Sequence, residues 1–310
     1  MSEVVFQDGW YPDAMQAAEA RRHGELSDVA ALLTLSEIFS DDSKQVPPVV
    51  DWKSFIKLID DLPPFDSEWW NYPGAVELFT PSQSYRPNCA GFAMANAALA
   101  RLIIQNKAQW AELKPQKFNP MVTWMLSKGG SVSGGQTLSK IARYGNQLGN
   151  YLAEDVGGYD PKQTRFTTDG EAAENAALHQ IGVCYYEGTN AAEDLIRCLK
   201  HGYTAFVGQS NAVRDGVKKD ENGVSVVTLG GSWAHATAFA GYKQVGGDDY
   251  VFWINSHGNI YPSDDGTPDF GGWMNRDTLE RFLKSTFCDI CIVTYTEAVH
   301  DKTAKITLRP

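Results

Sequence analysis

Residues 83–105 read QSYRPNCAGFAMANAALARLIIQ, with Pro87 and Asn88 standing just before Cys89 and an apolar face continuing through AGFAMANAALARLII. Proline pre-sets the first helical turn and asparagine is a favoured cap, so the spacing predicts a helix that opens near Cys89. At a helix amino terminus, unpaired N–H groups and the macrodipole favour a thiolate, and a nearby imidazolium favours it further. On its own, a cysteine on an apolar helix is more often an inert buried thiol.

Downstream of this run, the glycines of SKGGSVSGGQ mark a loop, and TLSKIARYGNQLG reads as a second helix with Gly145 and Gly149 near its end. AAEDLIRCLKHG continues the helical pattern. The character then changes, because TAFVGQS, GVSVVTL, HATAFAGY, DYVFWINS and DICIVTY are β-rich runs separated by Gly, Asn and Asp turns. Upstream, residues 51–81 are rich in aromatics and proline, among them Trp69, Trp70 and Pro73, and read as irregular backbone anchored by large buried rings. AMQAAEARR and LSDVAALLTLSEIF read as short amphipathic helices that stop at VPPVV. The resulting division is an amino-terminal helical extension over 1–50, a helical lobe over 51–180 and a β-rich lobe over 181–310.

A chain of 310 residues, 43% hydrophobic and 21% charged, is long enough to bury a large core. Its formal charge of −11 repels polyanions and argues against nucleic acid and anionic membrane surfaces as partners. The opening MSEVVFQDGWYPD has neither a basic nor an apolar signal region, and no stretch approaches the length of a membrane span. A cytoplasmic location is expected. Five cysteines are an odd count, too sparse for a disulfide framework, which fits a reducing compartment. The single CxxC at Cys288 and Cys291 lies in an apparent strand with no second pair to complete a zinc site, so neither metal nor cofactor is expected.

His235 among Ala, Thr and Phe is by itself an ordinary structural histidine, and Asn255 before Gly258 an ordinary turn residue. Jointly with Cys89 they mean more. A Cys–His pair needs a third group that holds the imidazole in one tautomer, and such groups come from separate elements of the fold.

At these residues the sequence resembles the papain-like cysteine peptidases. Gln83 precedes Cys89 by six positions, Cys89-Ala90-Gly91-Phe92-Ala93 keeps a Phe-Ala pair, and Gly74-Ala75-Val76 is similar to the segment before that glutamine. His235-Ala236 runs on to Gly241-Tyr242, and Asn255-Ser256-His257-Gly258 resembles the family's Asn-Ser-Trp-Gly. The resemblance extends over about residues 70 to 295. It implies an α+β, two-lobed fold, with a helical lobe facing a β-barrel-like lobe, and cleavage of peptide bonds in a peptide or protein substrate. It implies Cys89 as nucleophile, His235 as base, Asn255 as the group orienting that base and Gln83 as an oxyanion-hole donor. It also implies that Gly134 and Gly135 bind substrate backbone.

Several positions depart from the family's pattern. Ala90 and His257 replace tryptophans, Arg86 replaces a disulfide cysteine, Tyr261 stands for a second tryptophan and Pro262 for a glycine. The tryptophan losses motivate an alternative of another class, a papain-like domain kept as a structural component of a large assembly such as a virus particle. Within enzymes the alternative is another Cys–His acyl-transfer activity, a transglutaminase or an amidase.

Overall fold

The computed structural model describes residues 49–60, 62, 64–65, 67–107, 116–285 and 287–296. The expected helices of the amino-terminal extension lie outside the described residues, except that Val50 donates its N–H to the Val183 carbonyl at 3.0 Å. In chain order the helices are α1 Trp52–Asp60, α2 Cys89–Gln105, α3 Val122–Leu126, α4 Leu138–Gln147, α5 Ala153–Val156, α6 Glu171–Ala177, α7 Ala191–Lys200 and α8 Arg276–Leu283. The strands are β1 Ile181–Tyr185, β2 Thr204–Lys219, β3 Ser225–Val245, β4 Asp248–Ile254, β5 Gly271–Asn275 and β6 Cys288–Thr296. The fold is therefore α+β, with helices preceding and flanking one sheet of order β1-β6-β2-β3-β4-β5. Neighbouring strands in that order run antiparallel, and Val226 near the start of β3 also pairs with Trp273 of β5, so the sheet curls on itself.

Period-two alternation sorts the sheet into two cores. Ala236, Ala238 and Ala240 of β3, Phe206 of β2 and Tyr250, Phe252 and Ile254 of β4 pack in the cluster that contains α2. Phe239, Val207, Val251 and Trp253, at the intervening positions, pack with α1, α7 and α8. The alanine stripe on β3 lets α2 lie close to the sheet, and Thr204 of β2 donates its hydroxyl to the Ala97 carbonyl at 2.7 Å.

Helix α2 is buried along almost its whole length. Asn88 stands at its cap position without a side-chain capping bond, so the cap's usual ~1 kcal/mol is not what places it. Burial of Leu99, Leu102, Ile103 and Ile104, at roughly 1.5–3 kcal/mol each, outweighs that term several-fold. Gly91 is required for its seating. A Cβ there would lie 2.2 Å from the Pro120 carbonyl oxygen and 2.8 Å from Cβ of Trp124.

The aromatic segment before α2 is held by its rings. The Trp69 indole donates to the Ala240 carbonyl at 3.0 Å and stacks on Phe79, with ring centres 4.3 Å apart. Trp70 covers Gly241, where φ is +129° and an added Cβ would come within 3.0 Å of the indole and 2.9 Å of Phe252. That close approach gives Gly241-Tyr242 its physical reason.

Sequence punctuation placed turns between GVSVVTL and HATAFAGY, whereas both belong to one strand of 21 residues. Gly230 and Gly231 sit within β3, and the β2–β3 register shifts between Gln209 and Val217 absorb the irregularity as bulges. Pairing with β2, itself 16 residues long, overrides the local turn signal.

Candidate active site

Three segments distant in sequence, those of Gln83–Cys89, His235–Ala236 and Asn255–Tyr261, converge where the amino terminus of α2 meets β3. The Ala236 N–H donates to the Cys89 sulfur at 3.4 Å, which puts the sulfur beside the residue following His235. His235 Nε2 and Asn255 Oδ1 are 2.8 Å apart. The same Asn255 oxygen accepts the Ser256 N–H at 2.8 Å, which fixes the amide's orientation because an N–H needs an acceptor. Nε2 must then be the donor to Asn255, which leaves Nδ1 as the basic nitrogen of the neutral ring. On the other side the Asn255 amide Nδ2 donates to the Tyr261 hydroxyl at 2.9 Å.

Gln83 is equally constrained. Its Oε1 accepts the Ser256 hydroxyl at 2.5 Å and its Nε2 donates to the Arg86 carbonyl at 2.9 Å, which commits one of the two amide hydrogens. The backbone joins in, since Gln83 N–H meets the Ser256 carbonyl and Gly258 N–H meets the Pro81 carbonyl, each at 2.8 Å. This short ladder couples the segment of Gln83 to that of Asn255. Tyr159 donates its hydroxyl to the Gln83 carbonyl at 2.5 Å. Ser84, next in the chain, has φ +56° and is the one non-glycine residue with positive φ among the described residues. Such strain persists only where surrounding bonds over-determine it, as here.

Cys89, His235, Asn255 and Gln83 are all buried. The His257 ring stacks on His235 with centres 4.5 Å apart and planes at 26°, and Trp233 lies 6.0 Å from His257 on centres. An imidazole thus covers a face of His235. Gly134 and Gly135 lie in the loop before α4, and Arg86, three residues ahead of Cys89, reaches that loop through Nη1 to the Val132 carbonyl at 3.3 Å. The Gly134 and Gly135 carbonyls accept from Lys128 Nζ at 2.8 and 2.9 Å. Burial lowers the Lys128 ammonium to about 8, and nearby Lys140 adds to the effect.

Three of the other four cysteines have raised thiols. Burial pushes the Cys184 and Cys288 thiols up to about 12, and Cys198 well above its ordinary value. Among the described residues no group of His, Cys, Asp or Glu side chains could hold a metal ion, and no helix is long and apolar enough to cross a membrane.

Residue patterning alone could not assign work to Tyr261, Ser256, Tyr159 or Lys128. Tyr261 stood out only as a departure from the resembling family. Burial raises its hydroxyl to about 12, so it stays neutral while holding the Asn255 amide. Tyr261→Phe should strip a partner from a buried amide and lower the unfolding free energy by ~1–3 kcal/mol in a urea titration. An unchanged unfolding midpoint would show that the phenol is dispensable.

No protein-family model matches the chain, and no curated protein sequence matches it. Solved structures do. Xylellain, a cysteine protease from Xylella fastidiosa, superposes with a TM-score of 0.51 at 15% identity, covering 94% of this chain and 98% of that one. Procathepsin B S9 from Trypanosoma congolense gives 0.47 at 16% identity over 84% and 86% of the two chains. A cysteine protease from Carica candamarcensis gives 0.41 at 15% over 78% and 97%. The chain has the papain-like fold.

Proposed function

From a papain-like fold with a Cys, a His and an Asn gathered at one point, we propose that this chain is a cysteine peptidase acting on peptide or protein substrates. The observation that carries the reading is the conjunction of two contacts: Ala236 N–H on the Cys89 sulfur at 3.4 Å, and His235 Nε2 on Asn255 Oδ1 at 2.8 Å. In this reading a helical lobe bearing Cys89 and a barrel-like lobe bearing His235 and Asn255 form the two walls of a substrate cleft.

His235 Nδ1 takes the Cys89 proton, and the thiolate at the helix amino terminus attacks the scissile carbonyl carbon. The C=O electron pair moves onto oxygen, and the Gln83 side-chain amide together with the Cys89 backbone N–H receives that oxyanion. Collapse breaks the C–N bond, with imidazolium His235 protonating the leaving amine. Neutral His235 then draws a proton from water, which attacks the thioester and frees the carboxylic product and Cys89. Throughout, the amide of Asn255, held by Ser256 N–H and Tyr261, keeps the ring in one tautomer. The Gly134–Gly135 loop forms a wall of the cleft for substrate backbone, and no cofactor enters the scheme.

The test is thiol mapping. Native protein treated at neutral pH with a vinyl-sulfone probe is expected to be labelled at Cys89 first, since the raised thiols of Cys184, Cys198 and Cys288 hold almost no thiolate at pH 7. First labelling at any of those three would remove Cys89 as nucleophile. Release of free amine from a peptide, without transfer to an added amine acceptor, separates a peptidase from a transglutaminase.

A further inference from the structure

Two cations bind the Gly134–Gly135 loop and take up its carbonyls in sequence. Arg86 Nη1 donates to Val132 O at 3.3 Å, and Lys128 Nζ donates to the carbonyls of Ser133, of Gly134 at 2.8 Å and of Gly135 at 2.9 Å. An ammonium has three N–H donors, and here it meets three consecutive carbonyls. We propose that Lys128 and Arg86 are positioning residues for substrate, which draw these four carbonyls inward and so turn the loop's amide N–H groups toward an extended peptide backbone in the cleft. The inference rests on the reading of this loop as a wall of that cleft.

The geometry follows from the peptide unit. In a trans peptide the C=O of one residue and the N–H of the next point in opposite directions, so an inward carbonyl sends the following N–H outward. Inward carbonyls at Ser133 and Gly134 therefore aim the N–H groups of Gly134 and Gly135 away from Lys128. Within the described residues, no backbone hydrogen bond takes either N–H. Gly134 is exposed, has φ +69°, and an added Cβ would meet nothing within 4 Å, which leaves open space above the loop for another chain. The ligand this suits is a backbone carbonyl oxygen, whatever side chain accompanies it.

Both cations are tied to the helix that carries Cys89. Arg86 is three residues upstream of that cysteine and also donates through Nε to the Pro161 carbonyl. The Lys128 ammonium lies 5.0 Å from the centre of the Trp124 ring, and Trp124 Cβ is the atom that packs over Gly91 of α2. Loop and nucleophile are thereby held in one frame by two independent routes. Replacing an ammonium by a methylene chain would release three carbonyls without touching Cys89 or His235.

The experiment compares two alkylation rates at Cys89, one with iodoacetamide, which has no peptide backbone, and one with a peptidyl epoxide carrying two residues of backbone. Lys128→Met is expected to slow the peptidyl epoxide by about tenfold relative to iodoacetamide, with Arg86→Met moving the same way and Lys128→Arg recovering most of the loss. In a peptide assay the same variants should raise KM more than they lower kcat. The iodoacetamide rate reports whether each variant keeps its site, and Arg86→Met carries the test if Lys128→Met does not fold. Equal changes in both alkylation rates, or no change in either, would overturn the proposal while leaving the peptidase reading standing. A wild-type protein alkylated by iodoacetamide but not by the peptidyl epoxide would overturn the cleft reading, and this proposal with it.

Discussion

Cys89→Ala and His235→Ala are each expected to lower kcat/KM for peptide hydrolysis by at least about 10⁴-fold, and the double variant to be hardly worse than either alone. In the proposed mechanism thiolate and imidazolium act as one unit. Without the sulfur there is no nucleophile. Without the ring, the proton has no acceptor on attack and no donor for the leaving amine. The contacts at the site bear on the second half of this expectation. Ala236 N–H reaches the Cys89 sulfur and Asn255 holds the neighbouring His235, so removing one partner leaves the other in place but idle. Both side chains are buried, so each variant must be shown to be folded by circular dichroism and by its unfolding midpoint before rates are compared. Losses that multiply in the double variant would mean that the two residues act independently, and the shared pair would have to be abandoned.

Gln83→Ala should lower kcat by about 10²–10³-fold with little change in KM, since an oxyanion donor acts chiefly when charge develops on the carbonyl oxygen. Gln83 is held in place by several bonds. Ser256 holds its amide oxygen, Arg86 O takes one amide hydrogen, and the Gln83 backbone is paired with Ser256. These bonds fix the direction of the amide, which is what preorganised stabilisation requires. Truncation also leaves Ser256 and the Arg86 carbonyl without this partner, at a cost of ~1–3 kcal/mol in stability, so the kinetic comparison belongs at a temperature where both forms are folded. A variant changed only in KM would mean that Gln83 lines the cleft without entering the chemistry.

Which parts of this were legible beforehand follows from how far each signal reaches along the chain. The start of α2 at Cys89 was readable because Pro87 pre-sets the backbone within one turn of it, although Asn88 makes no side-chain capping bond. The helix at Leu138–Gln147 was readable from the loop glycines before it and from Gly149, at φ +84°, after it, and the structure adds a cap at Thr137, whose hydroxyl accepts the Lys140 N–H. The unity of β3 was not. Gly230 and Gly231 carry a local turn signal, and only pairing with β2, many residues away, keeps them in a strand. Gln83, Cys89, His235 and Asn255 could be singled out as candidates through residue type, spacing and resemblance. What holds them could not. The bond from Asn255 to Tyr261 joins positions six apart, and that from Ser256 to Gln83 spans 173 positions. Neither leaves a periodic trace.

The sequence by itself determined the helix that presents Cys89, the alternation that makes the β runs into a sheet and the residue types available for acyl transfer, because each depends on backbone preferences within a few residues. Only the tertiary structure decided that α2 lies against the Ala236–Ala240 stripe and that His257 stacks on His235. It alone decided that Arg86 and Lys128 gather one loop's carbonyls. Those arrangements are set by contacts between segments that meet only when the chain is packed, where volume, hydrogen-bond direction and charge are satisfied together.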